Sequence, residues 1–200
     1  MPRRGAVSEE RLKVWAIAGS LRADSWNRKL LEAAAALAPE DVEVHISDLL
    51  PEIPFFNEDL TGNEPAVVQQ LRAEVAAADA VMIATPEYNG MVPGVLKNML
   101  DWIAFPLFNC VLMDKPVALM GASGSKIGTA RAQVDLRQMF MYSRAMVVPP
   151  PEVLVNFAFQ AFDDEGRLVD PMFNDRIAHQ FAYLKKFARF KTLDEVTVNS

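Results

Sequence analysis

The chain is short of cysteine, of histidine and of net positive charge. Cys110 is its only cysteine, so no disulfide can form within the chain and no cysteine metal cluster can be built. Cys110 lies among Val111, Leu112 and Met113 and reads as packing. His45 and His179, the only histidines, have no partner at ligand spacing and read as structural or exposed. Lys and Arg number 20 against 26 Asp and Glu, a formal net charge of −6 with a pI near 5.0. That balance argues against a nucleic-acid partner, which requires a basic face to neutralise phosphates. The stretch 1–10 has no apolar core of signal-peptide length. The longest apolar stretch, Trp102 to Met113, is broken by Pro106 and Asn109 and falls short of the roughly 20 residues a membrane helix needs. A cytoplasmic protein with no membrane association is the expectation.

What the sequence has in abundance is apolar residues, 51% of 200. That suits a single domain with a full core, placed here at 11–191, with 1–10 and 192–200 as flexible tails. Lys13 to Ala18 is a buried strand ended by Gly19, and a helix follows from Asn27 to Leu37 with Leu30, Leu31, Ala34, Leu37 and Ala38 on one face. Val42 to Ile46 alternates as an edge strand, and Leu49 to Gly62 is a long loop pinned by its aromatics. A helix opens at Pro65 and ends near Ala78. Ala80 to Thr85 is a central strand, and Pro93 to Ile103 is a helix with Lys97 placed to pair with Asp101. Phe105 to Lys115 is a connection unusually rich in apolar groups, suited either to an interface or to capping its own core. Pro116 to Met120 is the next strand, Gly128 to Met141 a helix burying Ala130, Val134 and Phe140, and Ala145 to Val148 the last strand before Pro149-Pro150-Pro151. Pro171 opens the final helix.

Alternating strands and helices predict a doubly wound α/β fold with five parallel strands in the order 2-1-3-4-5 and helices on both faces. In that order three loops emerge together at the carboxyl edge of the sheet, where ligands bind. The first, Gly19 to Asn27, carries Ser20, Arg22, Ser25 and Asn27. These can hold an anion against the positive end of a helix. It lacks the second glycine of a dinucleotide fingerprint and any Gly-Lys-Ser/Thr. A single terminal phosphate, as on a flavin mononucleotide, is the better match. The second loop, Pro86-Glu87-Tyr88-Asn89-Gly90, can fold the main chain back and admit a flat ring. The third, Gly121 to Ser125, is small and polar, and it departs from a nucleophile elbow because Ser125 stands where the second glycine belongs.

Gly-Ser-Leu-Arg-x-x-Ser-x-Asn at Gly19 to Asn27, Thr-Pro-Glu-Tyr-Asn-Gly at Thr85 to Gly90 leading into Pro93-Gly94-x-Leu96-Lys97-Asn98-x-x-Asp101-Trp102, and Gly121-Ala-Ser with Gly128-Thr-Ala-Arg131 resemble the NADPH-dependent FMN reductase family. The resemblance runs from about Leu12 to Phe190. It implies a flavodoxin-like fold, FMN as bound cofactor, NADPH or NADH as electron donor, a homodimer or homotetramer, and electron delivery to a small-molecule acceptor such as a quinone, azo compound, metal oxyanion or free flavin. By position it assigns Ser20, Arg22, Ser25, Trp26 and Asn27 to the phosphate, Pro86, Glu87, Tyr88, Asn89 and Gly90 to the ring, and Ser123, Gly124 and Ser125 to its other side. No residue is assigned as acid, base or nucleophile, and no metal is implied. Many relatives carry proline or glycine where this chain has Gly124-Ser125-Lys126. Two other readings are a reductase that releases reduced FMN to a monooxygenase and a flavodoxin-like electron carrier without an NAD(P)H site.

Overall fold

Strand β1 (Leu12–Ala18) runs through the middle of a parallel sheet and pairs with β2 (Val42–Ile46) on one side and β3 (Ala80–Ala84) on the other. The computed structural model describes residues 11–107 and 109–189. The expected tails at 1–10 and 192–200 lie outside the described residues. Strand β4 (Pro116–Ala122) pairs with β3, giving the order β2-β1-β3-β4-β5 expected from the alternation. Side chains alternate between two cores, as strands buried on both faces require. Val14, Ala16 and Ala18 face one, with α1 (Trp26–Ala36) and α5 (Pro171–Ala188). Trp15 and Ile17 face the other, with α2 (Ala66–Ala77), α3 (Gly94–Ala104) and α4 (Ala130–Ser143).

The fifth position of the sheet is filled by two short strands. β5 (Met146–Val147) pairs with the start of β4 and β6 (Val153–Val155) with its end. Three prolines, 149–151, interrupt the ladder because they supply no N–H. β6 draws Gly121 and Ala122 into β4, so the third loop begins at Ser123 and not at Gly121. Gly121 is needed for close approach, since a Cβ there would overlap the Thr129 hydroxyl and the Thr85 carbonyl.

Several expected placements shift for physical reasons. Val134 is exposed, not buried, because α4 packs through Ala132, Leu136 and Phe140, a stripe two positions away. Leu37 is largely exposed as the C-cap of α1. Connection 105–115 mostly caps its own core, with Cys110 and Leu112 buried and Leu107 exposed. In the long loop Phe56 stacks edge-on against Trp102 and Phe105, while Phe55 is exposed. Lys97 pairs with Asp101 at 2.7 Å. His45 lies 3.8 Å from Glu74 on the surface of β2, and His179 stacks on Tyr183. Among the described residues no helix is long and apolar enough to cross a membrane.

Candidate cofactor site

Loops leaving β1, β3 and β4 meet at the carboxyl edge of the sheet. Helix α1 begins there because Ser25 caps it, its hydroxyl accepting from the Asn27 N–H at 3.2 Å and the Arg28 N–H at 3.4 Å. No acidic residue occupies the first turn of α1, so its positive end is not offset from within the helix. Just outside it the Arg22 N–H donates to Ser20 Oγ at 3.3 Å, and the Arg22 guanidinium lies over the Trp26 ring at 5.3 Å. Neither that guanidinium nor the N–H groups of Ser20 and Leu21 find an acceptor among the described residues. Asp24, the nearest carboxylate, is held below the usual aspartate range by its hydrogen bond and charge pairing with Lys29, helped by Arg22.

Asn27 is placed otherwise than a phosphate ligand would be. It is buried, and both ends of its amide are engaged 95 residues away: Nδ2 donates to the Ala122 carbonyl at 3.0 Å and Oδ1 accepts the Ala122 N–H at 2.8 Å. The first and third loops also approach each other at Gly124, where an added Cβ would stand 3.6 Å from the Trp26 ring.

The second loop is a hairpin. Tyr88 and Met91 exchange N–H to carbonyl bonds of 3.1 and 3.0 Å, and Asn89 (φ 53°) with Gly90 (φ 75°) forms the two-residue turn between them. Two successive positive φ values are the pattern that favours Asn-Gly in such turns. The N–H groups of Asn89 and Gly90 make no hydrogen bond among the described residues, and Tyr88 is half exposed beside them. Glu87 is turned away from this edge, its side chain only 8% exposed against the start of α4.

In the third loop Ser123 Oγ accepts the Ser125 N–H at 3.1 Å and lies 3.2 Å from Ser125 Oγ, and Ser125 Oγ donates to the Gly128 carbonyl. A fourth segment, missed in the sequence, lies against this loop. Ala158 N–H donates to the Ser123 carbonyl at 3.0 Å, Phe157 N–H to that of Ser125 at 3.3 Å, and the Asn156 amide to that of Lys126 at 3.4 Å. Phe157 adopts φ 45°, and Phe159 stands exposed beside it. The only signal for this segment was the apolar and aromatic run from Val153 to Phe162.

A doubly wound α/β domain with the flavodoxin-like strand order, and donors without acceptors beside a helix N-terminus that has no acidic residue in its first turn, is the arrangement in which folds of this class bind phosphorylated ligands at the switch point. Residues 12–160 match the model of the NADPH-dependent FMN reductase family, and the chain belongs to that family. It is 39% identical over 179 residues to an NAD(P)H-dependent FMN reductase of Pseudomonas aeruginosa, covering 89% of this chain and 96% of that protein. It is 35% identical over 181 residues to a quinone reductase of Escherichia coli K12, with the same coverages. FerB, a flavoenzyme NAD(P)H:(acceptor) oxidoreductase from Paracoccus denitrificans, superposes with a TM-score of 0.77 at 30% identity, covering 89% of this chain and 96% of that one. The protein is therefore an oxidoreductase whose cofactor is FMN and whose electron donor is NAD(P)H.

Proposed function

We propose that this enzyme takes hydride from NAD(P)H onto FMN held at the three-loop edge and passes the electrons to a small quinone-type acceptor. The observation that carries the reading is the cluster of donors without acceptors around the N-terminus of α1: the Arg22 guanidinium and the N–H groups of Ser20 and Leu21. They suit a terminal phosphate, with the Ser20 and Ser25 hydroxyls adding donors and Trp26 covering one side. Asn27 keeps this loop seated on β4. The free N–H groups of Asn89 and Gly90 suit the polar edge of a flat ring, and Pro86 and Tyr88 its face. Ser123, Gly124 and Ser125 close the other side. The FMN ring supplies the redox chemistry, accepting hydride and releasing electrons singly or in pairs. The chain contributes placement, backbone donors and an open face, and none of its side chains need act as acid, base or nucleophile.

Quinone is the favoured acceptor class because relatives carry quinone reductase names and Tyr88 offers an exposed aromatic surface beside the turn. A homo-oligomer is part of the same reading: Val134, Met141 and Tyr142 are exposed on one side of α4 and suit contact with a second copy of the chain. A cytoplasmic location fits the NAD(P)H pool and a lone buried cysteine that needs no oxidising compartment.

The test is the visible spectrum of the freshly purified protein, then anaerobic NADPH, then a quinone. Flavin bands that bleach with NADPH and return with quinone are the expected result. Bands that do not bleach with NADPH or NADH favour an electron carrier. Failure to take up FMN at micromolar concentration removes the reading.

A further inference from the structure

Glu87 does not face the edge where the three loops meet. Its Oε2 accepts the N–H of Arg131 at 2.9 Å and of Ala132 at 3.2 Å, and its Oε1 lies 3.4 Å from the Arg131 guanidinium. Helix α4 has no cap of its own, because Thr129 makes no side-chain capping bond and no acidic residue stands in the first turn. A carboxylate 44 residues upstream therefore satisfies two of the orphan N–H groups of α4 and offsets its positive end. The contrast is with α1, whose first-turn N–H groups meet the neutral hydroxyl of Ser25 and no carboxylate. Of the two helix N-termini at this edge, only that of α4 is occupied by a carboxylate of the protein itself. The filled one abuts the turn assigned to the ring, since Gly90 lies against the Arg131 side chain.

We infer that Glu87 is a positioning residue that acts on the flavin through α4: it anchors the 86–90 hairpin to that helix and lowers the positive field the ring experiences. The inference rests on the reading that the ring lies against this turn. Hydride uptake adds two electrons and one proton to the oxidised ring and so one negative charge. A positive field at that place would favour the reduced form. With Glu87 in place, Arg131 and the end of α4 are offset, the reduced form is less favoured, and electrons pass on to an acceptor more readily.

The experiment is a redox titration of the FMN-loaded protein against a reference dye, with the visible spectrum and the FMN dissociation constant recorded for wild type, E87Q, E87D and R131M. At the poise where wild-type flavin is half reduced, E87Q is expected to hold at least three times as much reduced as oxidised flavin. E87D, which keeps the charge, stays near wild type, and R131M shifts the other way. Arg131 is largely exposed, so R131M keeps the test open if E87Q fails to fold. An unchanged ratio in FMN-loaded E87Q, or shifts of the same sign in E87Q and R131M, overturns the inference while leaving the flavin reading intact. A wild-type protein that binds no FMN overturns both.

Discussion

The Asn27 side chain forms a two-point clamp on Ala122, donating to its carbonyl and accepting its N–H across 95 residues of chain. The clamp ties the start of α1 to the end of β4, and with it the first loop to the third. A group of this kind contributes to stability and to ligand affinity by separable routes. Replacing Asn27 by Ala leaves a buried donor and acceptor on Ala122 unpaired, at a cost of about 1 to 3 kcal/mol. Urea unfolding of the FMN-free protein should show this loss, accompanied by weaker FMN binding. Weaker binding with unchanged stability of the FMN-free protein would mean that Asn27 serves the phosphate directly.

Arg22 is the opposite case, an exposed cation that lies over the Trp26 ring and makes no side-chain hydrogen bond among the described residues. Its removal should leave the fold alone and fall on the ligand. Arg22→Ala is expected to weaken FMN binding by about 1.5 to 3 kcal/mol, roughly 10- to 150-fold, the range for a hydrogen bond to a charged group. Fluorescence titration with FMN and with riboflavin checks it. The loss should appear for FMN and vanish for riboflavin, which has no phosphate. Equal affinity of R22A and wild type for FMN would refute the phosphate assignment.

Glu74 links α2 to the first two strands, accepting from the Trp15 indole at 3.0 Å, the Ser47 hydroxyl at 2.9 Å and the Gln70 amide at 3.0 Å. Burial pushes its pKa up, but the hydrogen bonds from Trp15, Gln70 and Ser47 outweigh burial and hold it below the ordinary glutamate range. A carboxyl group depressed in the folded state stabilises the protein above its unfolded value, and that stabilisation is lost as pH falls through the folded value. E74Q should therefore be less stable than wild type at pH 7, and the gap should shrink on going to about pH 3. Unfolding curves at the two pH values decide the matter, and a gap of constant size would show that the loss at neutral pH is one of shape.

The strand order and the three-loop edge were legible in the sequence because apolar runs such as Ala80 to Thr85 and breakers such as Gly19 and Pro86 are local signals. The engagements of Asn27 and Glu87 were not. A polar residue in a loop reads the same whether it faces a ligand or a backbone group 95 or 44 residues distant. Strand β6 escaped for a related reason. Three residues after a proline run carry too little pattern to mark a strand, and it exists because the end of β4 offers unpaired backbone groups. Val134 misled through phase, since an apolar residue two positions from the packed stripe of α4 still satisfies a loose helical spacing.

The prolines between β5 and β6 bear on how the chain behaves among copies of itself. A parallel sheet ends in open rows of amide and carbonyl groups, and a long unbroken row is a template on which other strands can add. Here the side of the sheet beyond β4 presents only a two-residue and a three-residue piece, separated by residues 149–151, which have no amide hydrogen to offer. A strand arriving there finds no continuous register to copy. The interruption that made the last strand hard to read is thus a guard against runaway sheet growth, built into the segment that also holds the third loop in place.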